Sequence, residues 1–149
     1  MNYELYMGAA LAEARAAASD GERPDGAVAV MGDAMVARAR EQVHSKVDPT
    51  AHAVMVVLRE ASRRLGRTSL SGLTVFAAHE PCAMCVGALL ESDADGLVFA
   101  LADPRDGAAG SAVQLAASTS LPRRLAVVSG IMQSEAAELR APAGGSRRG

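Results

Sequence analysis

Two cysteines, Cys82 and Cys85, stand two residues apart in Glu80-Pro81-Cys82-Ala83-Met84-Cys85, and a histidine, His52, lies about thirty residues upstream in Asp48-Pro49-Thr50-Ala51-His52-Ala53. Pro81 suits the first turn of a helix. The free backbone N–H groups and the positive dipole end of such a turn favour thiolates over thiols. A thiolate pair at this spacing serves either a metal ion or a redox couple. A four-cysteine zinc ribbon needs two further cysteines, and the chain has only 2. A third ligand must then be a histidine or a carboxylate, and His52 is the best placed because it opens a helix of its own. Three ligands leave the fourth position of a tetrahedral zinc open, which distinguishes a catalytic site from a structural one, and water there is polarised near neutral pH. A redox pair would leave His52 without a role.

The elements that must hold these residues are readable from periodicity. Tyr3 to Ser19 repeats Leu5, Ala9, Ala12 and Ala16 at helical spacing and stops at Asp20-Gly21. Gly26 to Met31 and Ala34 to Ala39 read as strands of a hairpin turning at Gly32-Asp33. Ala51 to Leu65 returns to helical spacing, opened by Pro49-Thr50 and closed by Gly66. Leu73 to Ala78 is a buried strand that feeds a helix from Pro81 to about Glu91. Gly96 to Leu101 and Leu125 to Val128 are further strands, Asp103 to Gly110 is a turn-rich loop, and Ile131 to Arg140 is a last helix. Strands and helices alternating in this way predict an α/β sheet with helices on both faces, the hairpin antiparallel at one edge and parallel strands elsewhere.

With 149 residues, half of them apolar, the chain forms one domain, 1–140, followed by a tail, 141–149, whose Gly, Ser and Arg content predicts disorder. The net charge of -2 gives no long-range pull on a polyanion, so any nucleic-acid partner needs a local basic patch. Arg63, Arg64 and Arg67 read more simply as the wet face of a helix. His44 and His79 read as a surface or satisfied core histidine. The absence of an export signal and of a long apolar run predicts a cytoplasmic protein without a membrane span.

The segments around His52 and around Cys82 and Cys85 resemble the two zinc motifs of the cytidine deaminase-like superfamily. The similarity is greatest to the branch that holds tRNA adenosine deaminases and the deaminases of free guanine and cytosine. It runs from Gly26-Ala27-Val28 to Ser111. The resemblance implies a three-layer α/β/α fold around a five-stranded mixed sheet, Zn2+ bound by His52, Cys82 and Cys85, and hydrolytic release of ammonia from an amino-bearing ring. It places Ala53, Glu80, Pro81 and the backbone at Cys82 around the base, and it implies a homodimer.

Departures from the pattern bear on activity and substrate. Two residues after the histidine, relatives carry a glutamate that shuttles protons, and this chain has Val54. Valine neither accepts nor donates a proton, so the loss is at least the roughly 10²–10⁴-fold usual for general acid–base catalysis. Val54 fits a substitution made to trap a ligand or a natural loss of activity. Glu80 is no substitute, because relatives have a glutamate there as well, and Glu41 is a weaker stand-in. Glu41 falls where relatives usually have an asparagine against the substrate, and a carboxylate there would accept hydrogen bonds from ring N–H or amino groups. Ser92-Asp93 stands where the tRNA enzymes have serine-arginine, and their basic C-terminal helix is cut short near Arg140, which removes phosphate contacts. These changes favour a small nucleobase or related amino-heterocycle over tRNA as substrate. The loop from Asp103-Pro104 to Gly107-Ala108-Ala109-Gly110-Ser111 favours tRNA adenosine deamination as the alternative, and a non-catalytic zinc- or ligand-binding protein of the same fold is a third reading.

Overall fold

The computed structural model describes residues 1–140; the tail expected to be disordered, 141–149, lies outside the described residues. Helix α1 (Tyr3–Ser19) is capped by Asn2, whose side chain accepts the Leu5 N–H at 3.1 Å. Strands β1 (Gly26–Met31) and β2 (Ala34–Arg40) form the hairpin, with Gly32 taking the left-handed conformation at φ 63°. Then follow α2 (Ala53–Leu65), β3 (Leu73–His79), α3 (Ala83–Glu91), β4 (Gly96–Leu101), β5 (Ala126–Ser129) and α4 (Gln133–Arg140).

The five strands lie in the order β2-β1-β3-β4-β5. β3, β4 and β5 are parallel, as alternation with helices requires. The hairpin joins them through an antiparallel β1–β3 pair, so the sheet has two antiparallel pairings where the sequence suggested one. The connection from β2 to β3 through α2 skips over β1, which reverses the sense of that pairing.

Alternation along each strand sorts side chains into two cores. Ala27, Ala29, Val75, Ala77, Leu97 and Phe99 face α2 and α3, while Val28, Val30, Phe76, Ala78, Val98 and Ala100 face α1 and α4. Tyr6 and Met7 of α1 bury against this second face, and the Tyr6 ring lies 5.4 Å from that of Phe76. The buried stripe of α1 therefore runs through Tyr6, Met7, Ala10, Leu11 and Ala14 rather than Leu5, Ala9, Ala12 and Ala16; Leu5 is exposed. The larger Tyr6, Met7 and Leu11 fill the space over Phe76, and helix rotation follows them. Gly26 is required where α1 crosses β1, because a Cβ there would collide with the Ala10 carbonyl and the Ala14 amide. Among the described residues no helix is long and apolar enough to cross a membrane.

Candidate zinc centre

Both ligand-bearing helices begin at the same end of the sheet. The loop between β2 and α2 is stiffened by Glu22, whose carboxylate accepts the His44 and Ser45 amides at 3.0 and 2.7 Å. Asp48 turns back onto the Thr50 amide and hydroxyl at 2.9 and 2.7 Å. This turn delivers His52 in extended conformation as the N-cap of α2, which starts at Ala53 rather than Ala51. Cys82 is the N-cap of α3, and Pro81 precedes the helix instead of lying in its first turn. The two caps face each other.

His52 Nδ1 lies 3.5 Å from the Sγ of Cys82 and 3.5 Å from that of Cys85, and the two sulfurs are 3.8 Å apart. A tetrahedral zinc with ordinary bond lengths needs about 3.8 Å between sulfurs and about 3.6 Å between sulfur and nitrogen. The three atoms thus form one face of a zinc tetrahedron, and among the described residues this is the one cluster of its kind. The Cys85 thiol and the His52 ring hold Cys82 far below the ordinary thiol range, at about 3, while the hydrogen bond to Cys82 and burial push Cys85 well up. Without metal the pair thus shares one proton, which zinc binding would release.

Two glutamates flank the centre differently. Glu80 is buried with four donors on its carboxylate: the amides of Asp103, Ala109 and Ser111 at 3.0, 2.9 and 3.1 Å, and the Ser111 hydroxyl. Gly107 passes so close that any Cβ would strike this carboxylate. The Pro81 carbonyl accepts the Ala108 amide at 2.8 Å. Glu80 and Pro81 therefore hold the 103–111 loop over the start of α3.

Glu41, just past β2, is 2 % exposed, and its Oε1 has no hydrogen-bond partner. The strand registers, extended by one residue past Gly26↔Arg40 and by two past Ala27↔Ala77, set Asp25 between Glu41 and His79 on the sheet face that carries the metal helices. Asp25 accepts from Arg23 at 2.8 Å, from the Gly26 amide at 3.0 Å and lies 3.3 Å from His79 Nδ1. Arg23 Nε is 3.6 Å from Glu41 Oε2. Burial alone would raise Asp25, but Arg23, with His79 and the Gly26 amide, holds it below the usual carboxylate range. Burial, then the neighbouring Asp25, push Glu41 up, opposed by Arg23, His52 and the Ala53 amide. Among the described residues the buried side-chain polar atoms without a partner are Arg23 Nε, Glu41 Oε1 and His79 Nε2, all in this row.

Val54 and Ala53 are buried in the first turn of α2, Val54 within the core against the sheet. The structure brings His52, Cys82 and Cys85 together, sets Ala53, Val54 and Glu41 beside them, and adds Arg23, Asp25 and His79, which the sequence reading missed. Their signal was there: Asp25 is in phase with Ala27 and Ala29, and His79 with Val75 and Ala77, so both point to the α2–α3 face.

The model of the cytidine and deoxycytidylate deaminase zinc-binding region matches residues 1–101. The tRNA-specific adenosine deaminase of Bacillus subtilis is 38% identical over 132 residues, 89% of this chain and 82% of that protein. A structure from a study of A-to-I editing by tRNA:A34 deaminases superposes with a TM-score of 0.87 at 35% identity, covering 90% of this chain and 97% of that one. The guanine deaminase of Bacillus subtilis superposes at 0.66 with 32% identity, covering 68% and 66%. The match over residues 1–101, with its His52, Cys82 and Cys85 face, makes this chain a member of the cytidine and deoxycytidylate deaminase family of zinc-binding domains.

Proposed function

We propose that this chain is a hydrolytic deaminase of adenosine in tRNA, slowed by the valine at position 54. The observation that carries the reading is similarity across about nine tenths of the chain, at 38% and 35% identity, to tRNA adenosine deaminases, whereas the guanine deaminase of Bacillus subtilis reaches 32% over about two thirds. This reverses the order suggested by Ser92-Asp93, a local feature outweighed by the rest of the chain.

Zinc held by His52, Cys82 and Cys85 supplies a Lewis acid that lowers the pKa of a water molecule. The protein does the remainder. The loop pinned by Glu80 closes one side of the site, Ala53 leaves room for a planar ring, and the buried α2–α3 face keeps bulk water out. Val54 cannot move protons, so turnover falls about 10²–10⁴-fold below that of a Val54→Glu chain. A second reading, a small free base with an amino group, is favoured by Glu41 Oε1, an acceptor with nothing to accept. We read the active form as a homodimer, for which sedimentation should give twice the chain mass of 15.3 kDa.

The test is product formation by this chain and by Val54→Glu on a tRNA anticodon stem-loop with adenosine at the wobble position, and on free guanine, cytosine and adenine. Inosine from the stem-loop, faster in the variant, supports the first reading. Ammonia from a free base alone supports the second, and no product from either variant on any substrate removes both.

A further inference from the structure

The three zinc ligands are not delivered with equal rigidity. Cys82 and Cys85 belong to one helix start, where the Cys82 carbonyl accepts the Val86 amide at 2.9 Å. His52 comes at the end of the loop that runs from Glu41 to α2. As the N-cap of α2 it stands where serine, threonine, aspartate or asparagine would bond back onto the helix, yet its side chain makes no such bond; its Nδ1 faces the two sulfurs at 3.5 Å each. The direction of the ring therefore has to be set by the backbone that precedes it.

The hydrogen bonds of that backbone converge on one side chain. Asp48 Oδ1 accepts both the Thr50 amide at 2.9 Å and the Thr50 hydroxyl at 2.7 Å. The Asp48 carbonyl accepts the Ala51 amide at 3.1 Å, and the Thr50 carbonyl accepts the His52 amide at 2.8 Å. Pro49 between them has its φ fixed by its ring. Arg59 of α2 reaches back to the Thr50 hydroxyl at 3.4 Å and lies 3.9 Å from Asp48 Oδ2. The far limb of the same loop is held separately, by Glu22 on the His44 and Ser45 amides.

We propose that Asp48 is the positioning residue that aims His52 at zinc, acting through the Thr50 turn and not through its charge. Its side chain is 37 % exposed, so water screens the charge. Its two bonds to Thr50 depend on geometry alone, and an asparagine oxygen at the same place accepts both. A ligand fixed before the ion arrives loses no further freedom on binding, and partners that orient a metal-bound histidine are worth about 10–100-fold in metal affinity. The inference concerns the metal centre and holds whichever ring is deaminated.

Zinc affinity, measured by titrating the zinc-loaded chain with a chromophoric chelator, tests this beside chemical denaturation of the metal-free chain. Asp48→Ala should bind zinc about 10–100-fold more weakly than the parent. Asp48→Asn, which keeps the oxygen and drops the charge, should stay within about threefold of the parent. Asp48→Glu keeps the charge but moves it a methylene away from the turn; it should weaken with the alanine variant, and it serves in its place if that one fails to fold. Glu22→Ala, which frees the far limb of the loop, should be less stable as metal-free protein and still bind zinc within about threefold of the parent. An asparagine variant as weak as the alanine variant overturns the proposal in favour of charge attraction. Parent affinity in a destabilised Asp48→Ala overturns it in favour of a purely structural role, and an equal loss of zinc in Glu22→Ala overturns it by showing that any loosening of the loop suffices.

Discussion

Glu80, two residues before Cys82, and Glu41, just past β2, are both buried glutamates, and they are treated in opposite ways. Glu80 receives four hydrogen bonds and ties down a loop. Glu41 has one oxygen 3.6 Å from an arginine and the other unpaired. A buried acceptor left without a donor costs roughly 1–3 kcal/mol, so the Glu41 side of the site carries a stability cost that the Glu80 side does not. The α3 side is framework. The unpaired polar atoms, of Arg23, Glu41 and His79, lie instead in the row across the ends of β2, β1 and β3.

The largest effect should come from Glu80→Ala. Three amides lose their acceptor in a closed loop, and chemical denaturation should show a loss of about 3–6 kcal/mol. Arg23→Met should cost about 3–5 kcal/mol in the same measurement, because it leaves Asp25 and Glu41 as buried carboxylates without a cation. Gly107→Ala, which pushes a methyl against the Glu80 carboxylate, should cost about 1–3 kcal/mol. Glu41→Gln should stay within about 1 kcal/mol of the parent, since it removes a buried charge along with its poor contacts. Equal losses in Glu80→Ala and Glu41→Gln would erase the contrast.

The smallest effect is in pH dependence. The Glu41 pKa is raised from its ordinary 4.5, so the folded metal-free chain holds that proton more tightly than the unfolded chain does. Its contribution is most favourable below 4.5 and declines as the pH rises through the raised value. Asp25, held below its ordinary value, works the other way and loses its contribution only as the pH falls through its depressed value. Denaturation of metal-free protein from pH 4 upward should therefore show a decline in the parent, relative to Glu41→Gln, that starts near 4.5. Parallel curves would place Glu41 in a solvated setting.

Much of this was legible in the chain. The hairpin, the strand-to-helix passage at the cysteines and the metal ligands rest on local signals: alternation, a glycine turn, a proline before Cys82. The antiparallel joining of β1 to β3 was not legible, because strand order depends on which way a connection crosses the sheet. Glu41 was singled out because it falls where relatives usually have an asparagine, but its isolation is a property of burial. Asp25 and His79 are far apart in sequence and meet only through the β1–β3 register, so His79 read alone looked like an ordinary core histidine.

The zinc centre itself is tested most directly by native mass spectrometry of the chain beside Cys85→Ser, Glu41→Gln and Val54→Glu. One zinc per chain is expected in the parent and in the last two, with loss of most or all of it in Cys85→Ser, whose hydroxyl cannot replace a thiolate at a 3.5 to 3.8 Å ligand face. A parent that binds no zinc, or full zinc retention in Cys85→Ser, would contradict the account.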